Sequence, residues 1–269
     1  LAGMLGLGYA PSGSEDPYAL RRAANAIIQV LFDRGYRLSL TEFARRAMAP
    51  LKEKLKGGEE EALGRILEFL RSRVAAALSR NGAGGDLVEA ILSAGGGTGW
   101  HDPVDARARL RTLARLESNA ETFEPLTTTF KRVTNIIRQA AEEGGGGESG
   151  GGEEGIGAVS ADLLTEKAER ALEADVRGRS REVEETLAEI RGLPRDEGGG
   201  LEDAYGRVMA NVTALRPAVD AFFDEVLVMA EDEGVRRNRL ALLAAVGRLF
   251  TPVADFSKIK GRPPRPRSA

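Results

Sequence analysis

Residues 16–31 read Asp16-Pro17-Tyr18-Ala19-Leu20-Arg21-Arg22-Ala23-Ala24-Asn25-Ala26-Ile27-Ile28-Gln29-Val30-Leu31. Asp16 is suited to cap a helix. Pro17 fits a first helical position, where its missing N–H has no intrahelical partner anyway. Leu20, Ala23, Ala24, Ile27, Ile28 and Leu31 then recur every three or four residues, which is the apolar face of a helix. Gly35 ends the run. The same start returns at Asp102-Pro103, followed by Val104, Leu110, Leu113 and Leu116, and Ser39-Leu40-Thr41-Glu42 reads as a capping box opening a helix that stops near Pro50. Working outward, helical spacing predicts helices over 59–79, around Leu87–Val88–Ile91–Leu92, and over 125–137. It also predicts a pair over 163–176 and 183–190, two long helices over 201–215 and 217–230, and a last one over 233–250. Runs rich in β-branched and aromatic residues, which strands need, are few. The expected fold class is all-α.

Composition agrees. Hydrophobic residues make up 42% of the 269, enough for a core, but aromatics only 5%, so that core must be built from Leu, Ala, Val and Ile. No cysteine is present, which excludes disulfides, thiolate catalysis and cysteine metal sites. No run of about 18 apolar residues is present, so no membrane helix is expected. The opening Leu1-Ala2-Gly3-Met4-Leu5-Gly6-Leu7 lacks a basic region before it, unlike a signal peptide, and reads as the interior of a longer chain. The net charge of -3 conceals clustering: cations gather over 107–115, 131–138, 236–239 and 258–267, acids over 142–154 and 231–233. A polyanion partner needs one basic face, not a basic total.

A domain boundary is expected near 95–99. Residues 1–97 form a smaller helical segment of a truncated upstream domain, and 98–256 a helical bundle interrupted by a flexible Gly/Glu-rich insertion at 144–157. Residues 257–269 form a basic, Pro-rich, disordered tail.

Three strings carry a family resemblance. Asp16-Pro17-Tyr18-Ala19-Leu20-Arg21-Arg22-Ala23-Ala24 is similar to a D-P-F-A-L-R-R-A-A run, and Lys131-Arg132-Val133-Thr134-Asn135-Ile136 to a K-R-V-x-N-I helix. Phe222-Phe223-Asp224-Glu225-Val226-Leu227-Val228-Met229, followed by Arg236-Arg237-Asn238-Arg239-Leu240-Ala241-Leu242-Leu243, is similar to F-F-D-x-V-x-V-M and R-x-N-R-L-x-L-L. Val253-Ala254-Asp255-Phe256 resembles a closing V-A-D-[IF]. In this order and spacing they resemble the C-terminal portion of the β subunit of the heterotetrameric glycyl-tRNA synthetase. The last two strings resemble the all-α, DALR-type anticodon-binding domain shared with arginyl-tRNA synthetases. The resemblance covers about 1–256 and fails at 144–157 and in the basic tail. It implies a cytoplasmic ligase subunit fragment without a catalytic site of its own, partnered by tRNA(Gly) and by the alpha subunit in an alpha2beta2 heterotetramer. It further implies that ATP and Mg are used by the alpha subunit and that this chain binds no cofactor, DNA or membrane. Nothing in the sequence contradicts a catalytic site on the alpha subunit: no G-x-x-x-x-G-K-[ST] loop and no dinucleotide fingerprint occur.

RNA binding needs cations spaced to meet phosphates and a few groups that read bases. The candidate tRNA-binding residues are Lys131, Arg132, Asn135 and Arg138 on one helix and Arg236, Arg237, Asn238 and Arg239 on the last. Positions 131, 135 and 138 share a helix face. The alternative for the cations is a solvated face or pairing with acids such as 231–233. For Asn135 and Asn238, each mid-helix, it is an interhelical hydrogen bond. Phe222, Phe223 and Met229 are expected in the core. His101-Asp102 resembles the dipeptide of metal-dependent phosphohydrolases, but His101 is the only histidine, and Asp102 before Pro103 is explained by capping. Trp100 fits either an exposed anchor or a small satellite core. Against the tRNA-binding reading stands a structural one: an assembly arm contacting the alpha subunit, favoured by any apolar surface left open near residues 1–7.

Overall fold

The computed structural model describes residues 1–9, 11, 16–80, 82–143, 157–193 and 200–260. The described residues contain helices and no strand. In chain order the helices are α1 (Ala2–Gly6), α2 (Leu20–Arg34), α3 (Leu40–Met48), α4 (Gly58–Ser79), α5 (Gly85–Leu92) and α6 (Ala94–Gly97). They continue as α7 (Pro103–Glu117), α8 (Ala120–Glu143), α9 (Lys167–Gly192), α10 (Leu201–Glu225) and α11 (Glu233–Phe250). A 3-10 turn, Phe256–Lys258, closes the described chain.

Local chemistry sets most boundaries. Asp102 accepts from the amides of Val104 and Asp105, both at 3.1 Å, and starts α7 as expected. Ser39 accepts from the Glu42 amide at 3.3 Å. Asp232 accepts from the Val235 amide at 2.8 Å and opens α11. Gly35 ends α2 in the left-handed region, φ 68°, where glycine carries no Cβ penalty. The start of α2 differs from expectation. Pro17 lies in a turn, closed by the Ala19 amide donating to the Asp16 carbonyl, and Ala19 takes φ 54°. The Asp16 carboxylate still caps the helix, but from four residues back, accepting from Leu20 at 2.7 Å and Arg21 at 3.1 Å.

Two expected breaks are absent. The pair over 163–176 and 183–190 is one helix, α9, that runs through Gly178. Glycine inside a helix costs about 1 kcal/mol. Buried Leu172, Val176, Val183 and Ile190 flank it on the face that meets α10. Likewise α10 runs through Pro217, because Val212, Leu215, Val219 and Phe222 are buried on both sides of the missing hydrogen bond. Conversely, the helix expected to reach 230 stops at Glu225. Val226 and Val228 then point inward while Leu227 and Met229 are exposed, the period-two pattern of extended chain. Met229 is therefore surface, not core.

The long helices α9 and α10 pack side by side, antiparallel as shown by Arg179 meeting Asn211 and Arg207 meeting Glu189. The helices α7, α8 and α11 complete the bundle. Phe130, Phe250 and Phe256 meet ring to ring at its centre, with centroids 4.9 to 5.9 Å apart, and none of the three is exposed. Helices α1, α2 and α3 pack on α4, which meets α5 and α7, so buried side chains run continuously past 95–99.

Trp100 is 3% exposed and sits edge-on to His101, which settles it as core. Gly99 beside it has no alternative, since a Cβ there would lie 2.4 Å from the Ile91 carbonyl oxygen. Residues 257–260, expected to belong to a disordered tail, are instead held. Ile259 is 2% exposed, the Lys260 amide donates to Asp86 at 2.9 Å, and the Ser257 amide donates to Asp255. One buried apolar residue within a cationic stretch is enough to pin the chain down. Of the insertion expected at 144–157, residues 144–156 lie outside the described residues, as do residues 261–269 of the expected tail.

Candidate nucleic-acid interface

Helix α8 carries the first candidate group. Val133 and Ile137 are buried in the bundle, leaving Arg132 and Arg138 exposed and Lys131 and Asn135 half-buried. The Arg132 guanidinium lies over the Phe223 ring of α10, 4.0 Å from its centroid, so the charged group of this exposed residue is held against the ring. Asn135 accepts from Arg138 at 2.9 Å, an i,i+3 pair on the outer face rather than an interhelical bond. Lys131 donates to the Ile259 carbonyl at 3.5 Å. Among the described residues, none of Lys131, Arg132 and Arg138 has an ion pair with an acid, so their charge is available to a polyanion.

The second group, on α11, divides. Arg236 and Arg237 sit in the first turn. Arg236 donates to the Ala230 carbonyl at 3.4 Å, and Arg237 keeps an exposed contact with Glu233 at 3.8 Å, which exposure makes weak. Asn238 and Arg239 are structural. Asn238, 4% exposed, accepts from the Ser160 amide at 2.7 Å and donates to the Ser160 carbonyl at 3.0 Å, stitching the chain before α9 to α11. Arg239, 8% exposed, donates to the fully buried Glu169 carboxylate at 2.5 Å, to the Leu227 carbonyl at 2.8 Å and to Thr165 Oγ1 at 3.4 Å. Their polar atoms are occupied inside the fold, so these two leave the candidate set. Burial alone would raise the Glu169 carboxyl. The Glu166 amide and Arg239 outweigh it and hold the group below its ordinary 4.5.

Sequence reasoning missed Glu169, although Glu166 followed by Glu169 makes the reciprocal N-terminal bonds of a capping box, a pattern visible in sequence. It also missed the junction built on Arg109. This side chain, 2% exposed, donates to Asp105 at 2.8 Å, to the Val253 carbonyl at 3.2 Å and to the Gly99 carbonyl. Tyr205 of α10 donates to the other Asp105 oxygen at 2.6 Å. One guanidinium thus ties the 99 turn, α7 and the chain after α11. His101 and Asp102 serve the same junction. His101 Nδ1 lies 3.0 Å from Thr41 Oγ1, and Arg37 reaches Asp102 at 3.2 Å and the Ile190 carbonyl at 2.6 Å. Burial lowers the His101 pKa, and burial with Asp105 nearby raises that of Asp102.

Known proteins share this sequence over nearly its whole length. The family described as Glycyl-tRNA synthetase beta subunit matches residues 1–93, and the DALR anticodon binding domain matches 126–256. The glycine–tRNA ligase beta subunit of Syntrophotalea carbinolica is 39% identical over 259 residues, covering 96% of this chain and 33% of the relative. Those of Myxococcus xanthus and Anaeromyxobacter dehalogenans are 39% and 40% identical over 265 residues, covering 97% and 98% of this chain and 34% of each relative. The match to the DALR anticodon binding domain runs from within α8 to the start of the closing 3-10 turn, and the match to the synthetase beta subunit takes in α1 to α5. The chain is thus similar over nearly its whole length to glycine–tRNA ligase beta subunits and spans about a third of the length of the curated relatives it matches.

Proposed function

We propose that this chain is the tRNA-binding segment of a glycine–tRNA ligase beta subunit, and that it recognises the anticodon arm of tRNA(Gly). The observation that carries this is the outer face of α8. Lys131, Arg132 and Arg138 stand there beside Asn135 with no acid of a described residue pairing them, inside the unit that matches an anticodon-binding domain. The cations meet phosphates, and the Asn135 side-chain amide can hydrogen-bond a base edge. Aminoacylation itself, with ATP and Mg, belongs in this reading to the alpha subunit of an alpha2beta2 assembly in the cytoplasm. This chain contributes by positioning the tRNA. No described helix is long and apolar enough to cross a membrane.

The test is Arg132→Glu with Arg138→Glu, with thermal unfolding as a control for folding. Every phosphate that is no longer neutralised lowers the slope of log affinity against log salt by about 0.7–0.9. Binding to tRNA(Gly) should weaken and the slope should fall by about 1.5. Unchanged affinity and slope in a folded double variant would remove α8 from the interface. A second reading, an assembly arm, is favoured by an apolar hollow of about 170 Å³. It is lined by Leu1, Ala2, Ile27, Leu40, Phe43 and Ile66 among others, and Phe43 is 50% exposed at its rim.

A further inference from the structure

The cations over 107–115 take no part in the α8 face. They lie on α7, within residues 94–125, which fall between the two matched regions. Arg107, Arg111 and Arg115 recur every four residues and so share one side of the helix, while Leu110 and Leu113 turn into the core. At 1.5 Å of rise per residue this stripe carries a guanidinium about every 6 Å over about 12 Å. Arg107 anchors one end. Its guanidinium lies over the Phe32 ring of α2, 4.2 Å from the centroid, and donates to the Phe32 carbonyl at 2.8 Å. Arg111 and Arg115 are exposed and share a single carboxylate, that of Glu202 in the first turn of α10, with Arg111 at 2.8 Å on one oxygen and Arg115 on the other. Among the described residues, the acids whose charge reaches Arg107 are Glu202 and Asp33, and Asp33 accepts from Gln29 at 2.7 Å without pairing with the stripe. Three guanidiniums thus stand against one paired carboxylate. Burial lowers the Arg107 pKa and the Arg111 charge beside it lowers it further, so like charges are held together here.

We propose that the arginine stripe of α7 is a second, sequence-independent RNA contact, in which backbone phosphates take the place of Glu202 on Arg111 and Arg115. The inference rests on the reading that tRNA is the partner, and names a contact that reading does not contain. Two observations carry it. The stripe has more guanidiniums than carboxylates, and the two exposed ones are held only by an acid they share. Exposed links of this kind are weak and screened by salt. A phosphate accepts guanidinium N–H groups in parallel pairs and brings its own negative charge to the surplus. Such contacts position RNA without reading its bases. Arg107 is a positioning residue, since it ties the end of the stripe to α2.

The experiment changes the charge of the stripe in both directions and leaves Arg107 in place. One variant is Arg111→Gln with Arg115→Gln, and the other is Glu202→Gln alone, which frees both arginines. Thermal unfolding checks that each is folded. Binding to tRNA(Gly), and to the same tRNA with a changed anticodon, is followed across a salt series. In the arginine variant, affinity for both RNAs should fall by the same factor, roughly tenfold at about 0.1 M salt, with a slope lower by about 1.5. In Glu202→Gln, affinity for both should rise roughly threefold, the effect in water of removing one unit charge about 6 Å from a phosphate. A role confined to stapling α7 to α10 predicts no change in binding in either folded variant, and that result, while the parent chain binds, would overturn the contact alone. Weaker binding in folded Glu202→Gln would overturn it too, because the acid would not then be competing with phosphate. Weakening confined to the glycine tRNA would also overturn it, because that would mean base reading. Failure of the parent chain to bind any tRNA would overturn both this inference and the proposed function.

Discussion

Changing Glu169 to Gln tests whether Arg239 belongs to the fold or to the interface. Glu169 is fully buried and Arg239 8% exposed, with 2.5 Å between carboxylate and guanidinium. The substitution keeps the size of the side chain and leaves an oxygen for the Glu166 amide, which now donates to Glu169 at 2.7 Å. It leaves the guanidinium buried without a counter-charge. Removing one partner of such a pair costs roughly 3–5 kcal/mol. Arg239 retains the Leu227 carbonyl and Thr165 Oγ1, which places the expected destabilisation near the lower end, about 3 kcal/mol. That is a large share of the roughly 5–15 kcal/mol that holds a domain folded. Urea unfolding at pH 7 reads it directly as a shift of the midpoint at constant slope. The pH dependence has a definite sign. The folded-state pKa of Glu169 lies below 4.5, so its contribution is fully present above that value and is lost as pH falls through the lowered pKa. The gap between parent and variant should accordingly be constant near neutrality and close in acid. A destabilisation under about 1 kcal/mol at pH 7 would mean that Arg239 is hydrated and free for RNA, and would return it to the candidate interface.

Two further changes probe the frame around the interface. Phe256→Ala empties the ring cluster it forms with Phe130 and Phe250, where all three are wholly buried. It should cost about 3–5 kcal/mol in urea unfolding, and an effect under about 1 kcal/mol would show that the closing 3-10 turn is not part of the core. Asp16→Ala removes the acceptor for the Leu20 and Arg21 amides and should cost about 1 kcal/mol, read as faster amide exchange in the first turn of α2.

The sequence was most legible where structure is decided locally. Asp102 before Pro103, Gly35 after Leu31 and Asp232 before α11 each do what side-chain capping and glycine chemistry dictate, and those boundaries follow. It was least legible where packing outweighs local preference. Gly178 and Pro217 read as breaks, but their helices lie in the largest interface of the bundle, and burial on both sides holds them straight through. Val226-Leu227-Val228-Met229 is apolar throughout, so its period-two alternation of burial was hidden. The candidate site shows the same limit. An Arg or Asn in the first turns of a helix looks alike whether it faces water or a buried acid. The partners of Arg239 and Asn238, Glu169 and Ser160, lie 70 and 78 residues away, a distance that periodicity does not register.

The central claim is that the α8 face belongs to a folded module recognising the anticodon arm. Its most direct test is binding of the chain to glycine-specific tRNA and to the same tRNA with a swapped anticodon, over a series of salt concentrations. The account predicts tighter binding to the glycine tRNA at every salt concentration, with both affinities falling steeply as salt rises. Equal affinity for the two would contradict anticodon recognition and leave only backbone contacts. No binding to either would contradict the RNA-binding reading as a whole and favour the assembly role.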